Sequence, residues 1–223
     1  MIKDNVIKVR ERIAHSCERA GCDPAAITIV AAVKGRTPEQ IQEALDAGIT
    51  DVGENKVQEA LVNYKQLRAK WHMIGHLQTN KAKDAVEFFD LIHSVDSLRL
   101  AGEIDRRSAR ANKIQDVLIE VKTSDEASKF GIEPENSISL IKEISGFRNI
   151  RIRGLMTVAP IVENPQNARP YFRMLRELKD RANELRAAGC ELNVLSMGMT
   201  ADFEVAVEEG ANMVRLGRVI FGG

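Results

Sequence analysis

Lys34 is the residue whose type and setting most clearly suggest chemistry. It directly follows residues 27–33, an uncharged run without alternation that is typical of a strand buried on both faces. An amine at the end of such a strand lies on the rim of a sheet or barrel, so we expect its stem to lie against apolar surface in a partly dry site. Loss of water favours the neutral amine, which attacks carbonyl groups. The alternative is an ordinary solvated loop lysine.

A second group of candidate residues lies near the C-terminus, in two segments that contain glycine. Residues 196–200 (SMGMT) precede a predicted helix, and residues 214–218 (VRLGR) include the end of the last predicted strand. Backbone amides, hydroxyl groups and helix N-termini bind phosphate, and glycine permits close approach. The two segments therefore predict a phosphate site that includes Thr200 and Gly217, unless Gly198 and Gly217 only form tight turns.

A regular alternation of strands and helices must position these residues. The apolar patterns predict eight strands, at residues 27–33, 49–52, 71–74, 91–94, 116–121, 150–155, 192–195 and 213–216. Helices are predicted between them at residues 38–47, 57–69, 81–88, 98–111, 134–144, 170–188 and 202–209. Thr37 as the N-cap and Gln40 as its capping-box partner mark the start of the first of these. A further amphipathic helix is predicted at residues 6–20, before the first strand.

Eight strands separated by seven helices match a (β/α)8 TIM barrel without its last helix. We expect the N-terminal helix to fill that place, within a single domain spanning residues 1–223. A doubly wound open sheet is the alternative, although no glycine-rich dinucleotide turn follows the first strand.

Barrel closure would place strand eight beside strand one, and thus the phosphate site near Lys34. A lysine close to a phosphate site suggests an aldehyde cofactor with a phosphate group, namely pyridoxal 5'-phosphate (PLP), held as a Schiff base. Strand periodicity allows Arg215 to point into the barrel. Its role there would be either to contact the pyridine nitrogen or to form an ordinary core ion pair.

The composition argues against several kinds of partner. Lys plus Arg and Asp plus Glu both number 32, so no excess charge favours nucleic acid or an acidic membrane surface. No run approaches the roughly 18 apolar residues of a membrane span, and the first residues lack a signal-peptide core. Three cysteines, Cys17, Cys22 and Cys190, are too few for a disulfide framework, so we expect a cytoplasmic protein.

The histidines offer a weaker candidate site. His72 and His76 could suggest a metal pair, but they are four residues apart across a strand end, and no cysteine or carboxylate completes a site. We therefore expect no metal. His93 is interpreted as a structural histidine at a strand end, and Cys190 as a small buried apolar residue.

Eight segments, in order from about residue 27 to residue 222, carry a specific resemblance. They are VAAVKGRTPEQI, VGENKVQEAL, WHMIGHLQTNK, HSVDS, SKFGI, GLMTVAP, LSMGMTADFEVAVEEG and VRLGRVIFG. Together they resemble the pyridoxal phosphate homeostasis proteins, the YggS/PROSC-type family related to the barrel domain of alanine racemase. The resemblance implies a cofactor on Lys34, Arg215 at the ring nitrogen and Asn55 lining the cofactor. It also implies phosphate contacts from Met199, Thr200, Gly217 and Arg218.

Three positions depart from the pattern of that family. Val33 stands where serine is common, Lys56 where tyrosine is common and Lys122 where asparagine is common. The two lysines add positive charge near the predicted rim and put the usual contacts around the cofactor in doubt.

Three functions fit these observations. The first is PLP carriage and homeostasis without robust catalysis, because a racemase of this fold needs a second acid or base, usually a tyrosine from a C-terminal domain. Neither Tyr64 nor Tyr171 occupies a predicted rim position. The alternative is a small single-domain PLP-dependent amino-acid racemase or lyase, in which Lys34 is one base and His76 or Lys122 the other. A third is a regulatory module whose partner recognises the loaded state. We expect a monomer, with PLP-requiring apoenzymes as candidate partners.

Overall fold

Eight parallel strands close into a barrel in the order of the chain. The structure, a computed structural model, describes residues 1–64, 66–124, 126, 129–189 and 191–222, without the side chains of residues 62–64. The strands are β1 Thr28–Ala32, β2 Asp51–Glu54, β3 Lys70–Met73, β4 Leu91–Val95, β5 Gln115–Glu120, β6 Ile150–Met156, β7 Val194–Ser196 and β8 Met213–Leu216. The predicted TIM barrel is confirmed. The prediction for Cys190 lies outside the described residues.

Closure brings the last strand beside the first, as predicted. Val30 of β1 lies opposite Arg215 of β8, and Ala31 lies opposite Leu216. The segment that precedes Lys34 and the segment that precedes Gly217 are therefore neighbours in the sheet.

Helices surround the barrel on its outer face. In the described part of the chain they are α1 Ile2–Ala20, α2 Pro38–Asp46, α3 Val57–Tyr64, α4 Ala82–Phe88, α5 Leu98–Arg110, α6 Pro134–Ile144, α7 Arg169–Glu184, α8 Phe203–Glu208 and α9 Arg218–Phe221. The four-residue α9 is not predicted, and α3 and α7 end earlier than predicted. No helix among the described residues is long and apolar enough to span a membrane.

The N-terminal helix fills the place of the last barrel helix. It packs between α8 and α2 and also touches α9, and it buries Val6, Val9, Ile13 and Cys17 against them. Gly21 ends the helix in the left-handed conformation, at φ 70°. This prediction from the sequence is confirmed.

Two predicted strands begin later than their apolar runs. Residues 49–52 were predicted, and β2 is Asp51–Glu54; residues 192–195 were predicted, and β7 is Val194–Ser196. Ile49 and Leu192 are buried in the core outside the sheet, before the ladder pairing starts. The apolar residues at these two positions therefore indicate burial in the core, and they do not mark where strand pairing begins.

The first strand is buried on both faces, as its composition predicts. Val30 belongs to the small apolar cluster inside the barrel, together with Leu118 and Met156. Ala31 and Val33 belong to the larger core between the sheet and the helices. Alternation along the strand therefore directs Val30 and Ala32 toward the barrel interior, and Lys34 follows in the turn after the strand.

Candidate functional site

A cavity of about 290 Å³ lies at the C-terminal end of the barrel, where TIM-barrel proteins carry their sites. Small-molecule sites are typically roughly 300–1,000 Å³, so the cavity suits a small ligand. Five of the seven predicted site residues line it, and they are Met199, Thr200, Arg215, Gly217 and Arg218. Ala32 of β1 and residues 159–162 complete much of the wall.

Lys34 lies at the mouth of the barrel, two residues beyond Ala32. The capping box predicted for the next helix is present, with Gln40 N donating to Thr37 Oγ1 at 3.4 Å and Thr37 N donating to Gln40 Oε1 at 3.1 Å. Lys34 is exposed, so the expectation of a partly dry amine is wrong. The reason is that the chain leaves the sheet after Val33 and enters a tight turn, in which the amide of Arg36 donates to the carbonyl of Val33 at 2.9 Å and Gly35 has φ 69°.

A buried carboxyl group accompanies Lys34. Glu54 at the end of β2 is 1 % exposed, and burial raises the pKa of its carboxyl group to about 7. The amide of Asn55 and the positive charges of Lys34 and Lys56 act in the opposite direction. Sequence reasoning placed Glu54 at the barrel rim, directly before the predicted site residue Asn55, but assigned it no role.

Asn55 and Lys34 are the two predicted residues that do not line the cavity around Arg215. Asn55 lines a neighbouring cavity with Lys56, His76 and Gln78 among other residues, and its backbone amide donates to Glu54 Oε2 at 3.2 Å. In the barrel, β1 lies between β2 and β8, so the segments that follow β2 and β8 are not adjacent.

The loop after β7 requires glycine at one position. Gly198 has φ 92°, and a Cβ atom there would lie 2.6 Å from Ala206 Cβ and 2.9 Å from Phe203 Cα. The backbone amide of Met199 donates to Asp202 Oδ1 at 2.6 Å, so this predicted phosphate donor already has an acceptor. Gly198 thus forms a tight turn that also presents Met199 and Thr200 to the cavity.

Arg215 is a buried cation that lines the cavity without a direct carboxylate partner. It is 5 % exposed, and its Nη1 donates to the carbonyl oxygen of Ser196 at 2.8 Å and to Ser196 Oγ at 2.7 Å. Its Nη2 donates to the Thr157 carbonyl at 2.8 Å. The ion pairs among the described residues do not include Arg215, so the core ion pair considered from the sequence is not present.

Two carboxyl groups act on Arg215 through longer-range charge. Burial lowers the pKa of the guanidinium to about 10, against the charges of Glu120 and Asp202, so the side chain remains protonated at neutral pH. Glu120 is itself buried, its Oε2 has no hydrogen-bond partner among the described residues, and burial raises its pKa to about 7. Glu120 lies two residues after Leu118 on β5, so strand alternation directs both side chains into the barrel. The sequence contains this alternation, and our prediction did not use it.

The histidines do not form a metal site. His72 lies inside the barrel and is hydrogen-bonded to His93 and Asp51, whereas His76 stacks on Phe130 with ring centroids 3.8 Å apart. The described residues contain no group of three or more His, Cys, Asp or Glu side chains placed to hold a metal ion. His93 is a structural histidine as predicted, although it lies in the middle of β4 and not at its end.

The two side chains considered as a second base have other partners. Lys122 Nζ pairs with Glu133 Oε1 at 3.2 Å, and His76 Nδ1 lies 3.7 Å from Asp96 Oδ2. Neither residue lines the cavity around Arg215.

The chain is similar in sequence and in structure to known proteins of one family. Residues 4–223 match the family model described as alanine racemase, N-terminal domain. A pyridoxal phosphate homeostasis protein from Aquifex aeolicus is 46 % identical over 98 % of this chain and 96 % of its own. The structure of PipY from Synechococcus elongatus with PLP bound superimposes on this chain with a TM-score of 0.86 and 31 % sequence identity. The superposition covers 100 % of both chains. An alanine racemase from Clostridium difficile, 16 % identical with a TM-score of 0.77, shares the fold over 55 % of its own length.

Proposed function

The chain belongs to the pyridoxal phosphate homeostasis proteins within the alanine racemase N-terminal-domain family, and we propose that it binds PLP in the cavity beside Lys34. The observation that carries this proposal is Arg215. A buried guanidinium lines the cavity, and three of its five N–H groups have acceptors in the described part of the chain. The remaining N–H groups can donate to an uncharged ring nitrogen, which is the acceptor that PLP would offer.

The other predicted residues have separate tasks in this proposal. Lys34 would hold the aldehyde as a Schiff base, and its place two residues after Ala32, which lines the cavity, supports this task. Thr200, Gly217 and Arg218 would hold the phosphate group. Met199 would contribute only as a part of the loop, because its amide already donates to Asp202. When bound, PLP supplies an aldehyde and an electron-withdrawing ring. Arg215 would place a positive charge near the ring nitrogen, which would disfavour ring protonation and weaken that electron sink.

We assign the protein to PLP carriage and homeostasis without robust catalysis. Strong racemisation needs a second acid or base opposite the lysine. Lys122 and His76 are engaged with Glu133 and Asp96 outside the cavity, which supports the carriage assignment. An exposed Lys34 also favours loading and release of a cofactor.

Covalent trapping tests the binding proposal. The protein is incubated with PLP, reduced with borohydride and digested, and the adduct is located by mass spectrometry. We expect the adduct on Lys34, its absence in Lys34→Ala, and its retention in Lys56→Ala, a matched variant of a second rim lysine. An adduct only on other lysines, or none at all, would contradict the proposal.

A racemase or lyase remains the second candidate because of Glu54. Burial raises the pKa of the Glu54 carboxyl group to about 7, and the positive charge of Lys34 acts against this rise. The carboxyl group can therefore exchange protons at neutral pH. Loaded protein is incubated with single amino acids while optical rotation and keto-acid release are followed. Turnover well above that of free PLP, lost in Glu54→Gln, would replace the carriage assignment with the enzymatic one.

We further propose that the protein acts as a cytoplasmic monomer that delivers PLP to apoenzymes. Cys17 and Cys22 are free thiols, which suits a reducing compartment. Sedimentation equilibrium tests the monomer. Delivery is tested by mixing the loaded protein with a PLP-requiring apoenzyme, and activation no faster than with free PLP would count against it.

A further inference from the structure

The side chain of Arg36 links the turn that carries Lys34 to the C-terminal helix α9. Its Nη2 donates to the carbonyl oxygen of Gly222 at 2.7 Å, and its guanidinium carbon lies 5.3 Å from the centroid of the Phe221 ring. A hydrogen bond from a charged donor and a cation over an aromatic face both stabilise such a contact. Arg36 is half-buried and Phe221 is buried, so the link is partly shielded from water.

The other end of α9 carries two of the residues proposed to hold the phosphate group. The helix is a single turn, in which the amide of Phe221 donates to the Gly217 carbonyl at 3.0 Å and the amide of Gly222 donates to the Arg218 carbonyl at 2.9 Å. Gly217 and Arg218 line the cavity. A constraint on Phe221 and Gly222 therefore reaches the cavity through one turn of hydrogen-bonded backbone.

Sheet pairing does not hold these two segments together. The last described pair between β1 and β8 is Ala31 with Leu216. Beyond it, the amide of Val33 donates to the carbonyl of Gly53 in β2, on the other side of β1, at 3.0 Å. Arg36 thus joins the two segments after the strand ladder between them has ended.

PLP would require a particular spacing between the two segments. Its aldehyde and its phosphate arm are attached to neighbouring carbons of one rigid ring. In forming the Schiff base, the neutral amine of Lys34 replaces the aldehyde oxygen, which leaves as water. Once the phosphate is held, this reaction takes place within one complex, so the affinity it adds depends on how well the amine is placed.

We propose that Arg36 is a positioning residue, which holds the turn of Lys34 against α9 so that the aldehyde and the phosphate of PLP bind at the same time. This inference rests on the proposed binding of PLP. It adds a residue that does not line the cavity and that acts on the joint binding of the two groups, not on either contact alone.

A pair of ligands tests the role of Arg36. PLP is compared with 4-deoxypyridoxine 5'-phosphate, in which a methyl group replaces the aldehyde while the ring and the phosphate remain. The dissociation constant of the analogue divided by that of PLP reports what Lys34 adds once the phosphate is held. Arg36→Ala should lower this ratio about tenfold, the effect of one hydrogen bond from a charged donor, and leave the analogue's dissociation constant unchanged. A merely structural defect would weaken both ligands alike and leave the ratio unchanged.

Asn5→Ala is the matched control. Asn5 Nδ2 donates to the Ile220 carbonyl at 2.9 Å, so this variant also removes a side-chain bond to the backbone of α9, but from α1 and not from the turn of Lys34. It should keep the wild-type ratio, and an equal fall in both variants would overturn the proposal. If the wild type binds neither ligand, the proposed function is wrong; if it prefers PLP and Arg36→Ala keeps the ratio, only the role of Arg36 is wrong.

Amide hydrogen exchange provides a second measurement, which needs no cofactor and separates position from charge. In the unloaded protein, Arg36→Ala should speed exchange of the Phe221 and Gly222 amides about tenfold, because α9 loses one hydrogen bond from a charged donor. Unchanged exchange at both amides would show that Arg36 does not hold α9. The proposal would then be wrong even if the ratio of dissociation constants falls.

Discussion

Gly198 shows at the scale of one residue how closely the cavity loop is packed. Its positive φ is unfavourable for any other L-residue, and the space for a side chain is taken by the helix that follows. The backbone carbonyl of Gly198 also accepts from the amide of Arg215 at 3.0 Å. A change at this position therefore affects both the loop at Met199 and Thr200 and the buried arginine.

Gly198→Ala should destabilise the protein by about 3 kcal/mol and weaken PLP binding, because left-handed strain and steric overlap add together. Gly21→Ala is the control, since Gly21 is also left-handed but has no atom within 4 Å of an added Cβ. Gly21→Ala should lower the free energy of unfolding by only about 1 kcal/mol. Urea denaturation and PLP titration measure both effects. Equal losses of stability in the two variants would disprove the packing argument.

At the scale of elements, α1 completes the outer layer of the barrel. Polar contacts supplement its buried apolar face: Arg12 pairs with Glu204 of α8 at 2.8 Å, and Asn5 Nδ2 donates to the Ile220 carbonyl of α9 at 2.9 Å. The helix lies outside the sheet, whereas the cavity lies at its C-terminal end. Stability and ligand binding should therefore respond separately to changes in α1.

Ile13→Ala should lower the free energy of unfolding by about 3 kcal/mol, because Ile13 is 2 % exposed and its loss leaves a cavity. Ile7→Ala, on the exposed side of the same helix, should change it by less than about 0.5 kcal/mol. The dissociation constant for PLP should stay the same in both. Weaker PLP binding by folded Ile13→Ala would show that the helix and the cavity are coupled.

At the scale of the whole molecule, the buried carboxyl groups make stability depend on pH. Burial raises the folded-state pKa of Glu120 to about 7, above its ordinary value of 4.5. The folded state therefore binds this proton more tightly than the unfolded state. The stabilisation is fully present below pH 4.5 and is lost as the pH rises through 7.

Glu120→Gln should remove this dependence. Relative to the wild type, its free energy of unfolding should increase by about 2 kcal/mol between pH 5 and pH 8. Burial holds the pKa of His93 well below its usual value, so its effect on stability has the opposite sign near pH 6. Subtracting the free energy of unfolding of the wild type from that of the variant removes this contribution and leaves that of Glu120. Parallel curves of stability against pH for the two proteins would contradict the assignment.

The sequence by itself determined the barrel, the place of α1, and the group of cavity residues around Arg215 and Gly217. Apolar periodicity, helix caps and glycines are local signals, and the order of strands then follows from closure. Lys34 was also identified locally, as the first polar residue after a buried strand.

Only the tertiary structure decided how side chains from distant segments meet. Asp51 and Arg215 are joined through three other residues because strand register and closure place five inward-facing polar side chains in one chain of contacts. Periodicity states that a residue faces inward but not which partner it meets. The exposure of Lys34 and the separation of Asn55 from the cavity were decided in the same way, by the path of the chain after each strand ends.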